Sequence, residues 1–231
     1  MVSEQRCWLA IETSTQLCSV ALLSDGQVEW REHNEARAHA TIIMPMIDEL
    51  LDATGRQFSD INGFVFGQGP GSFTGVRIAV ALTQGLALGG QVPVLGVSSL
   101  RVLAQQALNA HRSLDSVCVA QDARMSEVYT GRYLRDGQGI AQPLVADAVV
   151  APDVLLPLVD PMVTGTGFAA YAELDAAVVD GEAIALHDSD GLPSARTLLD
   201  IAQTTPDSAW TPPFEARAVY VRDEVANASP A

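Results

Sequence analysis

Short apolar runs alternate with polar turns over the first thirty residues. Cys7 to Ile11 is apolar, ETSTQ (12–16) is polar, and Ser19 to Leu23 is apolar again; Ser24-Asp25-Gly26 then precedes a third run, Val28 to Arg31. Runs of strand length cut by turn residues predict a β-meander. From Ala40 the period lengthens: Ala40, Ile43, Ile47, Leu50, Leu51 and Thr54 follow helical spacing up to Gly55, a stop signal. Pro45 lies inside this stretch, so the helix is expected to start near it or to kink there. Asn62 to Gly67 is a buried strand that runs into the glycine-rich GQGPGSFTG (67–75), and VRIAVALTQGLAL (76–88) is a second helix. That helix is apolar nearly all round and rich in small residues, which predicts cover on most sides and a close neighbouring backbone. Val92 to Val97 is a further strand, with Ser98 or Ser99 capping a third helix that reaches about Ala110.

A second lobe begins after residue 110. Val117 to Gln121 and Val128 to Tyr133 are predicted strands around Asp122-Ala123-Arg124, followed by a turn from Arg135 to Gly139. Residues 143–197 are acidic and punctuated by Pro and Gly, with a strand at Met162 to Gly167. A short helix (Ala195 to Ala202) and a terminal strand (Ala218 to Val221) close the chain. No internal repeat is visible. The alternation of strands and helices predicts α/β architecture with helices on the faces of mixed sheets.

Composition narrows the chemistry. The 231 residues are 48% apolar, enough for one large domain or two small lobes. All 13 basic residues are arginine. The absence of lysine excludes Schiff-base chemistry, a lysine general base and the lysine of a Walker loop. Net charge is −15: residues 1–110 carry 10 acids and 6 arginines, residues 111–231 carry 18 acids and 7 arginines. Such an acidic chain is not expected to hold a phosphate backbone by itself. Cys7, Cys18 and Cys118 form no CxxC pair, nothing at the N-terminus resembles a signal peptide, and no apolar run reaches the roughly 18 residues of a membrane span. The expectation is a cytoplasmic protein that contacts no membrane.

Three candidate sites each have two readings. The loop from Gly69 to Gly75, between strand and helix, is either an anion cradle or a tight turn that brings helix and sheet together. Ser72 is either a nucleophile or a helix cap, and the G-x-S-x-G frame of a nucleophile elbow is missing. Glu12-Thr13-Ser14 and Asp122 would, across a cleft, hold a metal or act as base; otherwise they bond their own turns. His33, His39, His111 and His187 are dispersed, so no metal site is expected, and each is read as a surface or capping residue.

Seven segments carry a resemblance: 9–23, 38–51, 61–89, 92–100, DARMSEVYTGRY (122–133), GTGF (165–168) and AVYVRDEVA (218–226). In that order the chain resembles the TsaB (YeaZ) family, densely over 8–133 and sparsely afterwards. The resemblance implies an actin-like (ASKHA) two-lobe fold and a role in placing threonylcarbamoyl on the adenosine beside the tRNA anticodon. It implies no catalytic residues here: the HxxxH metal pair of the paralogue TsaD would fall on residues 38–51, where only His39 stands, four residues before Ile43. It implies TsaD as heterodimer partner, TsaE as an ATP-dependent third component, a homodimer when the chain is alone, and tRNA contact only through the complex. No cofactor is expected on the isolated chain, with ATP and magnesium entering only in the complex. Glu12, Thr13, Ser14, Gly69, Gly71, Ser72 and Asp122 are the vestigial nucleotide-site candidates; Glu12 stands where the family usually has Asp, and Ala218 to Arg222 lacks the family's preceding Pro. Ile42, Met44 and Met46 fall off the helical core stripe, so Ile42, Met46, Val76 and Val80 are expected to form the shared partner interface. An ATP-dependent actin-fold enzyme and a peptidase are the rivals. The domain division expected is 1–110, carrying the association surface, and 111–231, acidic, with its last strand and helix free to return to the first lobe.

Overall fold

The computed structural model describes residues 6–35, 38–180 and 184–222. Its helices are α1 (His39–Thr54), α2 (Phe73–Gly90), α3 (Ser99–Ala110), α4 (Gly167–Ala170), α5 (Ala172–Asp180) and α6 (Ala195–Thr204). The first sheet contains β1 (Trp8–Glu12), β2 (Leu17–Ser24), β3 (Gln27–Asn34), β4 (Gly63–Gly67) and β5 (Val94–Val97), in the order β3-β2-β1-β4-β5. The meander β1-β2-β3 is antiparallel, and β4 and β5 add in parallel on the other side of β1.

Every residue of β1 and β4 is buried, because helices cover both sheet faces and no alternation with polar residues is left. Leu9, Ile11, Phe64 and Phe66 point to one face and pack with Ile43, Ile47 and Leu50 of α1 and Ala79 of α2. Trp8, Ala10 and Val65 point to the other, against Val102 of α3 and Leu198, Leu199 and Ile201 of α6.

The second sheet contains β6 (Ser116–Arg124), β7 (Glu127–Arg135), β8 (Ala141–Val150), β9 (Met162–Thr164) and β10 (Leu186–Asp188), in the order β10-β9-β6-β7-β8. Here too an antiparallel meander of three strands is followed by two parallel additions, with helices between the fourth and fifth strands and after the fifth. The two halves therefore repeat one topology, although their sequences show no repeat. Each half lends its last helix to the other: α3 packs Leu100, Leu103 and Leu108 on Val117, Val119 and Tyr133 of the second sheet, while α6 packs on the first. Helix α3 joins the halves, with Val102 in the core against the first sheet and Leu100, Leu103 and Leu108 in the core against the second.

Helix α1 begins at His39 and includes Pro45, whose missing N–H falls opposite the carbonyl of exposed Thr41. Three expectations change. Helix α2 is not covered on most sides: Phe73, Arg77, Ala81, Gly85 and Leu88 form an exposed stripe. His39 is buried at 7% exposure, not at the surface, because it opens α1 against the backbone at Gln16 and Leu17. Residues Ala218 to Val221 form no strand; this segment lies across the glycine loop with one ladder-like bond, from the Val219 N–H to the Gln68 carbonyl at 2.8 Å. Residues 223–226, the end of the last resemblance segment, lie outside the described residues.

Candidate functional site: a closed glycine loop and an open helix face

The β1–β2 turn and the Gly69–Gly75 loop meet backbone to backbone. Ser72 donates its N–H to the Ser14 carbonyl at 2.7 Å, and the Thr13 hydroxyl donates to the Gly75 carbonyl at 2.7 Å. A Cβ on Gly71 would stand 2.4 Å from the Ser14 carbonyl oxygen, and one on Gly75 1.9 Å from that of Thr13. These glycines therefore admit the chain's own turn. Gly69 is required by its φ of +93, and a Cβ there would also stand 3.1 Å from the Val219 carbonyl oxygen.

Glu12 is fully buried beneath this joint. Its carboxylate accepts from the Ser14 N–H at 2.7 Å and from the Ser99 hydroxyl at 3.0 Å, and Gly67 lacks a side chain because its Cβ would lie 1.9 Å from Oε2. Burial raises the Glu12 pKa, and the bonds from Ser14 and Ser99 only partly oppose it. Asp122 is engaged elsewhere: it accepts from the Arg124 N–H at 2.8 Å and the Tyr171 hydroxyl at 3.0 Å, and pairs with the Arg124 guanidinium at 2.9 Å. The two carboxylates thus serve separate turns. Ser72 caps α2, its hydroxyl accepting from the Gly75 N–H at 3.3 Å. Among the described residues no cluster of His, Cys, Asp and Glu could hold a metal, and the Cys18 and Cys118 thiols are pushed up to about 12 by burial.

The four residues named for an interface divide. Met46, at 8% exposure, belongs to the core of the first lobe because Ile43, Met46, Ile47 and Leu50 form one inward stripe, and Val76, at 2%, is buried in the first turn of α2 beside Gly69. Ile42 and Val80 are half-buried at its edge. The open surface lies one step around each helix, at Met44 on α1 and Phe73, Ala81, Gly85 and Leu88 on α2. A Cβ on Gly85 or Gly89 would meet nothing within 4 Å.

Three residues order this region, and the sequence shows only part of what they do: the cap at Ser98 or Ser99 is as expected, with Ser98 in that place. Ser99 reaches Glu12, and the adjacent Ser98 caps α3 and donates to Asp147 of β8, so a serine doublet at one helix start ties both sheets. The doublet was visible in the sequence; its carboxylate partners, 87 and 49 residues away, were not. Arg222 is the third. It bonds the Ala123 carbonyl at 3.3 Å and pairs with Glu127 at the β6–β7 turn.

An α/β protein of two lobes with one repeated topology, an actin-like arrangement, is thus defined by the fold. The family described as TsaD, tRNA N6-adenosine threonylcarbamoyltransferase, matches residues 33–188. The chain is 38% identical to the tRNA threonylcarbamoyladenosine biosynthesis protein TsaB of Escherichia coli, over 94% of this chain and 95% of that one, and 35% identical to TsaB of Haemophilus influenzae, over 94% of each. The solved structure of YeaZ from Pseudomonas aeruginosa superposes with a TM-score of 0.81 at 35% identity, covering 93% of this chain and all of that one. A second Pseudomonas aeruginosa structure, described as similar to peptidase YeaZ, has a TM-score of 0.83 at 36% identity, covering 94% of this chain and all of that one. The chain belongs to the TsaB family of tRNA threonylcarbamoyladenosine biosynthesis proteins.

Proposed function

We propose that the chain is the non-catalytic subunit that binds and supports a TsaD-type threonylcarbamoyltransferase, which carries out the transfer to tRNA. The observation that carries this reading is the joint at Gly71 and Gly75. The loop that could cradle a phosphate is filled by Thr13 and Ser14 of the same chain, and Glu12 beneath it is spent on Ser14 and Ser99. The capping bond of Ser72 favours a structural hydroxyl over a peptidase nucleophile. The partner seat is the outward face of α2 with the adjoining edge of α1. Small residues at 81, 85 and 89 let a partner helix approach closely, while Phe73, Leu88 and Met44 offer apolar area. The same face would pair two copies when the partner is absent, and a TsaE-type ATPase would join only the assembled complex.

The test is tRNA modification by the cognate threonylcarbamoyltransferase subunit with and without this chain. Modification is expected to need the chain; full-rate modification without it would overturn the reading. The isolated chain is expected to show no heat of binding with ATP and magnesium.

A further inference from the structure

The β6–β7 turn is held in a conformation its residues resist. Arg124, Met125 and Ser126 have φ of 61, 55 and 59, three consecutive non-glycine residues in the left-handed region. Arg124 pairs with Glu127 across the hairpin, so Met125-Ser126 is a two-residue loop with both central φ positive, a geometry for which Asn-Gly is the favoured pair. Side chains that penalise a turn and yet occupy it point to a demand from outside it. The tip itself is not buried: Met125 is 78% exposed, and the Arg124 side chain 87%.

The turn is braced from two sides. Tyr171 donates to Asp122 and to the Glu127 carbonyl, each at 3.0 Å, and Arg222 holds the Ala123 carbonyl and the Glu127 carboxylate, with Met125 Sδ at 3.6 Å. The segment that carries Arg222 comes from the start of α2. Two residues earlier, the Tyr220 hydroxyl accepts from Arg77 Nε at 2.8 Å, and Phe73, Arg77 and Tyr220 stack together. The backbone between Tyr220 and Arg222 spans at most about 7 Å. Residues 220–222 therefore tie the first turn of α2, where the open helix face begins, to the β6–β7 turn.

We propose that this turn is a prong that extends the α2 seat onto the second lobe, placing Met125 in an apolar cup on the same catalytic partner. The inference rests on the partner reading above. Charge at the tip is balanced, Arg124 against Asp122 and Arg222 against Glu127, so the flexible thioether is what the tip offers.

The test compares Met125→Asn with Ser126→Gly, which relaxes the turn, and Met125→Leu, which keeps the apolar tip. The relaxed double variant is expected to melt about 2–4 °C higher and to bind the cognate threonylcarbamoyltransferase subunit about tenfold more weakly by calorimetry, while Met125→Leu binds as wild type. A relaxed variant that binds as tightly as wild type overturns the prong, and one that melts lower overturns the strain on which it rests. Ala81→Arg separates the two readings. If it leaves binding intact, the helix seat itself is wrong; if it abolishes binding while the relaxed turn changes nothing, only the prong fails.

Discussion

Glu12 shows how one residue can look functional in sequence and be structural in space. An acid in a hydroxyl-rich turn beside a glycine loop suggests a metal or phosphate site, and nothing local distinguishes that from a sealed joint. The distinction lies in Ser14 and Ser99, whose N–H and hydroxyl occupy the two carboxylate oxygens, and in Gly67, whose missing side chain lets the backbone close over the carboxylate. Burial raises the folded pKa of Glu12, so the folded chain holds this proton more tightly than the unfolded chain. The associated stability is fully present below the unfolded carboxylate range and is lost as pH rises through the folded value. Glu12→Gln keeps an acceptor for the Ser14 N–H and removes the cost of a buried charge. It is expected to raise Tm at pH 8 and to leave it nearly unchanged at pH 4. Thermal melts of both proteins at the two pH values check this; an equal shift at both would mean that the charge carries no cost.

At the scale of elements, the strands β1 to β5 and the helices α1 to α3 were legible because each has a clear period and a stop signal. The facing of α1 and α2 was less so. Helix α2 is apolar nearly all round, and α1 packs five apolar residues into Ile42–Ile47 around Pro45, so periodicity does not say which of them face the sheet. Sequence spacing puts Met46 outside the core stripe, and the structure puts it inside, since the stripe through Ile43, Ile47 and Leu50 includes it. A charge at Met46 would damage the core before it tested any interface. Gly85 is the cleaner probe. It is exposed in mid-helix with nothing within 4 Å of an added Cβ, so Gly85→Ala is expected to stabilise the monomer by about 0.5–1 kcal/mol. Gly85→Trp, whose Cβ likewise meets nothing within 4 Å in the monomer, is expected to abolish association with the catalytic partner and with a second copy. Denaturant melts and sedimentation check the pair; a Gly85→Trp chain that still associates would place the interface elsewhere.

The molecule as a whole held what the sequence concealed. Repetition of one topology and the exchange of α3 and α6 between halves leave no mark in residue periodicity, because strand order is a relation between distant segments. β8 escaped notice for a related reason. It is an edge strand with Pro143 inside and a mostly exposed opening half, so little alternation survives to announce it. Net charge, by contrast, is a whole-molecule property read directly from the sequence, and its consequence is testable at that scale. With −15 on the chain and most of it after residue 110, phosphate contacts in a tRNA complex are expected to come from a partner. Each phosphate neutralised adds about 0.9 to the slope of log affinity against log salt concentration for a duplex. The isolated chain is therefore expected to show no salt-dependent binding to tRNA. Adding it to the catalytic subunit should change that subunit's salt slope by less than about one phosphate contact, even where it raises the rate of modification. Fluorescence titrations of tRNA at several salt concentrations decide the matter. A slope steeper by several contacts in the presence of this chain would mean that its arginines reach the RNA directly, and the division of labour between an acidic support and an RNA-binding catalyst would have to be abandoned.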